Sequence, residues 1–391
     1  MDRTKYLLIG GGLASLSAAE SIRERDADGA VMMVGRETYI PYNRPPLSKG
    51  YLLDGDWEPS DFRRHDDEWY EQQNIAFRGG VTATAIDIES SEVAMSSGDS
   101  VRYERLLIAT GADVIRLNVP GADLEGVHYL RTIPDADALL GASKAAEGVV
   151  VVGGGFVGLE LASSFRQLGL DVTLVYMEDH LWSTLLTPQI SEWLAGHYRD
   201  QGVHLLPESQ VAAFRGDGRV GAVALASGSE LPAEFVALGV GVRPATQLVD
   251  GTVLAGPNGI ATNSRLETEA PGVYAAGDVA LYEDVVFEKR RRVEYLGAAR
   301  GHGTVAGANM AGGDEEYAEV PYCFSDLFDL EFEFAGDFDV APDHVALDGQ
   351  PSDGPFIARY FVAGRLTAAV CVDREEDEVD AVQDEIRAAQ S

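Results

Sequence analysis

The chain has 391 residues, 46% of them hydrophobic, with 43 glycines and a formal net charge of −34. That length is too great for one ordinary core and predicts two or three domains, while the charge repels phosphate and excludes nucleic acid as a partner. No apolar run reaches the roughly 18 residues that a membrane span requires, so no span is predicted.

In chain order, KYLLIGGGLASLSAAESIRERDADGAVMMVGRE (residues 5 to 37) reads as a short apolar strand, a glycine turn, a helix with apolar spacing and a second strand. Gly10, Gly12 and Ser15 take the three small positions of a dinucleotide-binding turn. The first allows the tight turn, the second lets backbone approach a pyrophosphate, and the third keeps the helix close to the sheet. The helix N-terminus then offers unpaired N–H groups to phosphate. Glu37, with Arg36 before it, closes the second strand and is the candidate partner of a ribose.

PYNRPPLSKG (41 to 50) is a turn-rich loop stiffened by Pro41, Pro45 and Pro46 and ending in Lys49, in a chain whose other lysines are Lys5, Lys144 and Lys289. Alternating strand-like runs follow, and SSGDS (96 to 100) marks a hairpin turn between two of them. GVVVVGGGFVGLELASSFRQLGLDVTLVYMED (148 to 179) then repeats the first pattern about 143 residues on, with Gly153, Gly155 and Gly158 at the small positions. One Gly-x-Gly-x-x-Gly is a weak signal, but two in strand–helix–strand context predict two dinucleotide-binding folds. Where the second copy calls for an acidic residue it has Tyr176, with Glu178 and Asp179 just beyond and no arginine to hold a 2′-phosphate, so NADH is favoured over NADPH. Gly239 and Gly241 in VALGVGVRPAT are further nucleotide-contact candidates. PYCFSDLFDLEFEFAGDF and FIARYFVAGRLTAAVCVD read as antiparallel strands, and REEDEVDAVQDEIRAAQ as an acidic terminal helix.

Cys323 and Cys371 lie far apart with no Cys-x-x-Cys pair, so neither a disulfide framework nor structural zinc is expected, and a reducing cytoplasm fits. The N-terminal apolar run is too short for a signal peptide. The histidines show no metal-ligand spacing, and no metal site is expected. Two explanations of the excess of Asp and Glu over Lys stand open: adaptation to high salt, or a GC-rich genome that replaces Lys by Arg.

Together with the ATG turn (Ala109, Thr110, Gly111) and GVYAAGD, which ends in Gly277 and Asp278, these motifs resemble the FAD-dependent pyridine nucleotide oxidoreductases. PYNRPPLSKGYL looks like the branch containing ferredoxin, rubredoxin and putidaredoxin reductases and apoptosis-inducing factor. RRRVEYLGAARGHGTVAGANMAG followed by PYCFSDLFDLEF looks most like the apoptosis-inducing-factor-like members. The resemblance implies an α/β fold with two Rossmann-like dinucleotide-binding domains and a C-terminal α+β domain. The FAD domain would be split over 1–115 and 245–315, the NAD(P)H domain would span 116–244, and the last domain 316–391.

The same resemblance implies site roles. Lys49, facing Glu160 near flavin N5, would form the catalytic pair, since a buried ammonium needs a carboxylate. Phe156 would cover the flavin until nicotinamide displaces it, and Asp278 would bond the ribityl hydroxyls, a role compatible with capping a helix. Arg44 and Arg131 would lie near the pyrophosphate and flavin, Val81 would meet the adenine through its backbone, and Ala14 would follow the phosphate turn. Glu294 and Leu296 stand where relatives carry an aromatic or a histidine pair, so Leu296 supplies no stacking ring. No cysteine lies near PPLSK, which disfavours thiol chemistry, and Cys323 reads as a small core residue. The cluster EKRRRVE (288 to 294) is either a docking patch for an acidic ferredoxin or a set of cations paired with the chain's own carboxylates.

The expected function is hydride transfer from NADH to FAD, followed by single-electron transfer to a small acidic iron–sulfur protein, a ferredoxin or rubredoxin. The alternatives are an NADH oxidase or quinone-type reductase, and a redox sensor whose oligomeric state responds to NADH. The protein is expected to be a cytoplasmic monomer or homodimer.

Overall fold

The structure, a computed structural model, describes residues 2–54 and 57–390. The first strand, Asp2–Ile9, ends in Leu7 and Leu8, which have no exposed surface. A parallel strand covered on both faces reads as such a continuous apolar run. Asp2–Ile9 lies between Val31–Gly35 and Ser100–Ile108, both parallel to it, in a seven-stranded sheet. Ile75–Gly79 extends one side. On the other side Val273–Ala275 returns, from far along the chain, to pair in parallel with Ser100–Ile108. Glu92–Met95 joins the sheet antiparallel through the SSGDS turn, where Gly98 takes a positive φ of 90°.

The second nucleotide-type sheet has five strands, all parallel: His204–Leu206, Asp171–Val175, Gly148–Val152, Val236–Leu238 and Val127–Tyr129. The chain enters this sheet through Ala112–Val114 and leaves it through Val242–Pro244, and these two segments pair antiparallel. These two segments form a two-stranded link between the units, and residues of both glycine turns line one cavity.

Tyr322–Leu327, Leu330–Gly336, Arg365–Val372, Phe356–Val362 and His344–Asp348 form an antiparallel five-stranded sheet. The helix Glu376–Gln390 packs Val379, Val382 and Ile386 onto it and turns its acidic face outward. The architecture is therefore α/β, with two Rossmann-like units and a C-terminal α+β unit. The helix Leu296–Met310 lies so close to Leu13–Arg25 that a Cβ on Gly303 would sit 2.2 Å from the carbonyl oxygen of Ala14. Among the described residues no helix is long and apolar enough to cross a membrane.

Candidate active site

A cavity of about 1100 Å³ opens where the three units meet. The first glycine turn, the ATG turn and Ala276–Asp278 form one wall, residues 155–157 and 239–242 a second, and residues 322–324 and 336–339 of the C-terminal sheet a third.

The two glycine turns are built alike. Gly10 has φ +132°, and a Cβ there would lie 2.0 Å from the carbonyl oxygen of Ala109; Gly153 has φ +115° and meets Gly239 in the same way at 2.3 Å. Each turn is thus forced against the neighbouring strand. At Gly12 and Gly155 a Cβ would meet no protein atom within 4 Å, so nothing in the protein accounts for glycine there. These residues start the helices Leu13–Arg25 and Phe156–Gln167, neither of which has a side-chain cap or an acidic residue in its first turn. Both helix ends are left positive and open, a geometry that suits phosphate. The third positions differ: a Cβ at Gly158 would strike the carbonyl oxygen of Gly153 at 1.9 Å, whereas Ser15 is accommodated, fully buried, with no protein partner for its Oγ.

The charged residues of the first wall hold one another. Glu37 accepts from Tyr42 Oη at 2.6 Å and pairs with Arg44 at 2.5 Å. Arg44 also donates to the carbonyl oxygen of Arg131, and Arg131 Nη2 lies 2.9 Å from Asp278 Oδ2. Glu37 is therefore a partnered carboxylate, and Asp278 is no helix cap: Ala276 precedes that short turn, and the Asp278 side chain goes to Arg131. Arg36 is exposed and paired with Asp113 at 3.1 Å. Val81 lines the cavity with its N–H already given to the carbonyl oxygen of Gly35, and Thr110 Oγ1 donates to that of Ala245 at 2.7 Å. Ala14, Ala109, Gly111, Gly241, Gly277, Glu294 and Leu296 also line the cavity.

Lys49 and Glu160 come together across the units. Lys49 Nζ lies 3.2 Å from Glu160 Oε1, and the Glu160 side chain is 9% exposed. Both Glu160 oxygens are otherwise engaged, accepting from Ser48 Oγ at 2.5 Å and Ser325 Oγ at 2.7 Å. Lys49 has a second carboxylate, Asp326, at 3.0 Å, and the Phe324 ring centroid at 5.0 Å. Glu160 and Ser48 stand on the cavity wall, with Lys49 behind them. Its ammonium is buried without an aligned hydrogen bond. Phe156 does face the cavity and is held by Trp182 and Phe334, with centroids at 5.0 and 5.4 Å. Tyr176 is buried behind its turn, and Glu178 is exposed beside it.

Some residues depart from expectation. Cys323 packs against the core and also lines the cavity wall, hydrogen-bonded to Tyr295, and burial pushes its thiol up to about 12, so no reactive thiolate stands there. Tyr295, one residue before Leu296, contributes a ring to the wall that the sequence reading did not assign. The basic cluster is largely spent. Lys289 pairs with Asp337 and Asp339 at 2.6 and 2.7 Å, Arg291 with Asp284 and Asp337 at 3.1 and 2.7 Å, and Arg292 with Glu294 at 2.6 Å. Arg290 alone of the four cations is exposed.

Open space at Gly12 and Gly155, two uncapped helix ends and the unpartnered Ser15 Oγ fit FAD and a pyridine nucleotide. Two nucleotide turns on one cavity define a flavin-dependent pyridine nucleotide oxidoreductase. The family model for pyridine nucleotide-disulphide oxidoreductases matches residues 4–303, and the chain belongs to that family. Among its relatives is the ferredoxin–NAD(+) reductase component of the anthranilate 1,2-dioxygenase system of Burkholderia cepacia. It is 33% identical over 378 residues, covering 96% of this chain and 93% of that protein. A monodehydroascorbate reductase of Pisum sativum is 34% identical over 408 residues, covering 98% and 94%. The crystal structure of a ferredoxin reductase from Rhodopseudomonas palustris superposes with a TM-score of 0.92 at 31% identity, covering 97% of this chain and 93% of that one.

Proposed function

We propose that the protein oxidises NADH and delivers the electrons singly to a small ferredoxin- or rubredoxin-like iron–sulfur protein. The observation that carries this reading is the single cavity onto which both glycine turns open. When bound, FAD supplies the chemistry, taking up two electrons with a proton as hydride and giving them up one at a time. The first turn, with Gly10, Gly12 and the Leu13–Arg25 helix end, would hold the FAD pyrophosphate. Arg44 and Arg131 would add positive charge beside it, and Glu37 and Asp278 would bond its hydroxyls. Gly153, Gly155 and the Phe156–Gln167 helix end would take the pyridine nucleotide. Phe156, at the junction, would give way to nicotinamide and otherwise exclude water. Glu178, with no arginine beside it, supports NADH over NADPH. The Lys49 and Glu160 pair would fix the charge near the reacting edge, supported on the Glu160 side by Ser48 and Ser325 hydroxyls.

We divide the chain accordingly into an FAD domain (1–115 and 245–315), a pyridine nucleotide domain (116–244) and a C-terminal domain (316–391). A cytoplasmic location accords with two free cysteines.

Stopped-flow mixing with each nicotinamide tests the first half-reaction: bleaching of bound FAD faster with NADH than with NADPH is expected. Cytochrome c reduction that depends on added ferredoxin tests the second. A small organic one-electron acceptor is the second reading, favoured by the self-neutralised cluster around Lys289, Arg291 and Arg292 and by the likeness to monodehydroascorbate reductases. Rapid turnover with a quinone and none with ferredoxin would decide for it.

A further inference from the structure

The C-terminal sheet reaches into the Lys49–Glu160 pair with two consecutive residues. On the strand Tyr322–Leu327, Ser325 is fully buried and donates to Glu160 Oε1 at 2.7 Å. Asp326 is half exposed and places Oδ2 3.0 Å from Lys49 Nζ, closer than Glu160 at 3.2 Å. One ammonium is therefore shared by two carboxylates, so the group carries net negative charge. The Phe324 ring, 5.0 Å away, covers the ammonium from a third side.

We propose that Asp326 is a positioning residue for Lys49: it draws the ammonium back behind the cavity wall and limits the positive charge that reaches bound flavin. The inference rests on the reading that FAD occupies this cavity. The physical ground is the division of one charge. Glu160 already has two hydroxyl donors, and its oxygens are satisfied without Lys49. Lys49 has no aligned hydrogen bond, so its place is set by the balance of charges around it. Glu160 is the buried partner and Asp326 the solvent-facing one. With the exposed carboxylate removed, the buried Glu160 still partners Lys49. With Asp326 neutral, the ammonium is left to Glu160 and its field at the cavity grows. A cation near a flavin favours its reduced, more negative form, so Asp326 holds the reduction potential down.

The test is a spectroelectrochemical titration of FAD bound to the wild type, Asp326→Asn and Asp326→Glu. Asp326→Asn should favour reduction about tenfold, which for a two-electron couple is an upward shift of about 30 mV. Asp326→Glu should return the potential to the wild-type value. The same exchange made in a Lys49→Met background should leave the potential where Lys49→Met puts it, because the effect runs through the ammonium. Should Asp326→Asn not fold, Asp326→Ser reads the same shift. A variant that holds FAD in full with an unmoved potential overturns the role of Asp326. So does an equal shift in the Lys49→Met background. Wild-type protein that binds no FAD overturns the reading of the cavity itself.

Discussion

His302 should make this protein acid-labile in a way that one substitution removes. The side chain has no exposed surface, and its ring lies between those of Tyr282 and Tyr317, with centroids at 4.5 and 4.4 Å. Neither ring nitrogen has a protein partner, and burial lowers its pKa from 6.5 to about 3. The folded state thus keeps the imidazole neutral, while the unfolded chain binds a proton below pH 6.5. Stability from this group is complete above about pH 6.5, falls as pH drops through that value, and stops falling near pH 3. At about 1.36 kcal/mol per unit, the whole window is worth ~5 kcal/mol, of which ~2 kcal/mol is lost by pH 5.

His302→Leu keeps the volume and removes the titration. Guanidinium unfolding of both proteins at pH 7 and pH 5 gives a difference of differences in which the carboxylates cancel. The wild type is expected to lose ~2 kcal/mol more than the variant between the two pH values. Equal losses would refute the argument. So would a His302 C2–H resonance in the folded protein titrating near pH 6.5.

Gly12→Val should leave the apoprotein within ~1 kcal/mol of wild type, since its Cβ meets no protein atom, yet abolish stoichiometric FAD binding; a yellow variant would count against the phosphate turn. Glu160→Gln should cost about 3 kcal/mol in denaturant unfolding, the low end for a broken buried pair because Lys49 keeps Asp326. Glu178→Arg should move kcat/KM toward NADPH by at least about tenfold, as a charged hydrogen bond to a 2′-phosphate is worth ~1.5–3 kcal/mol; an unchanged ratio would remove Glu178 from the nucleotide site. Arg290→Glu should change the KM for an acidic ferredoxin by less than about twofold, because the neighbouring cations are already paired; a large rise in KM at low salt would restore the docking patch.

Spacing encodes local backbone, and the local features were legible for that reason. The Gly10–Gly12 and Gly153–Gly155–Gly158 turns, the SSGDS hairpin and the terminal helix Glu376–Gln390 each follow from residues within one or two elements. Apart from Lys49 and Glu160, which the resemblance paired, the wall charges were legible as residue types but not as partners. Ser48 and Ser325 reach Glu160 over 112 and 165 residues of chain, and Arg131 meets Asp278 over 147. No periodicity records which strand of the C-terminal sheet docks on the Phe156–Gln167 helix, so Asp326 and Ser325 could not be found from spacing. Tyr295 was missed by a single position. It precedes the helix Leu296–Met310 in extended conformation, φ −106° and ψ 140°, and lines the same wall as Leu296. Cys323 packs on the core as its strand pattern suggests, but the pattern could not show that it also lines the cavity wall.

The distribution of cations explains how so acidic a chain can serve two anionic nucleotides. A net charge of −34 opposes the approach of any phosphate. That field is screened beyond ~8 Å at physiological ionic strength, whereas a wall arginine acts within hydrogen-bond distance. Arg44 and Arg131 line the cavity, fixed by Glu37 and Asp278 rather than free to turn outward. Arg291 and Lys289, also beside the cavity or its rim, are tied to Asp337. Arg44 and Arg131 are thus held on the cavity wall, where they would serve a pyrophosphate. Nucleotide affinity is then a local property that salt helps, by screening the repulsive far field. Encounter with an acidic protein partner has no basic surface of this cluster to steer it, and depends on that same screening.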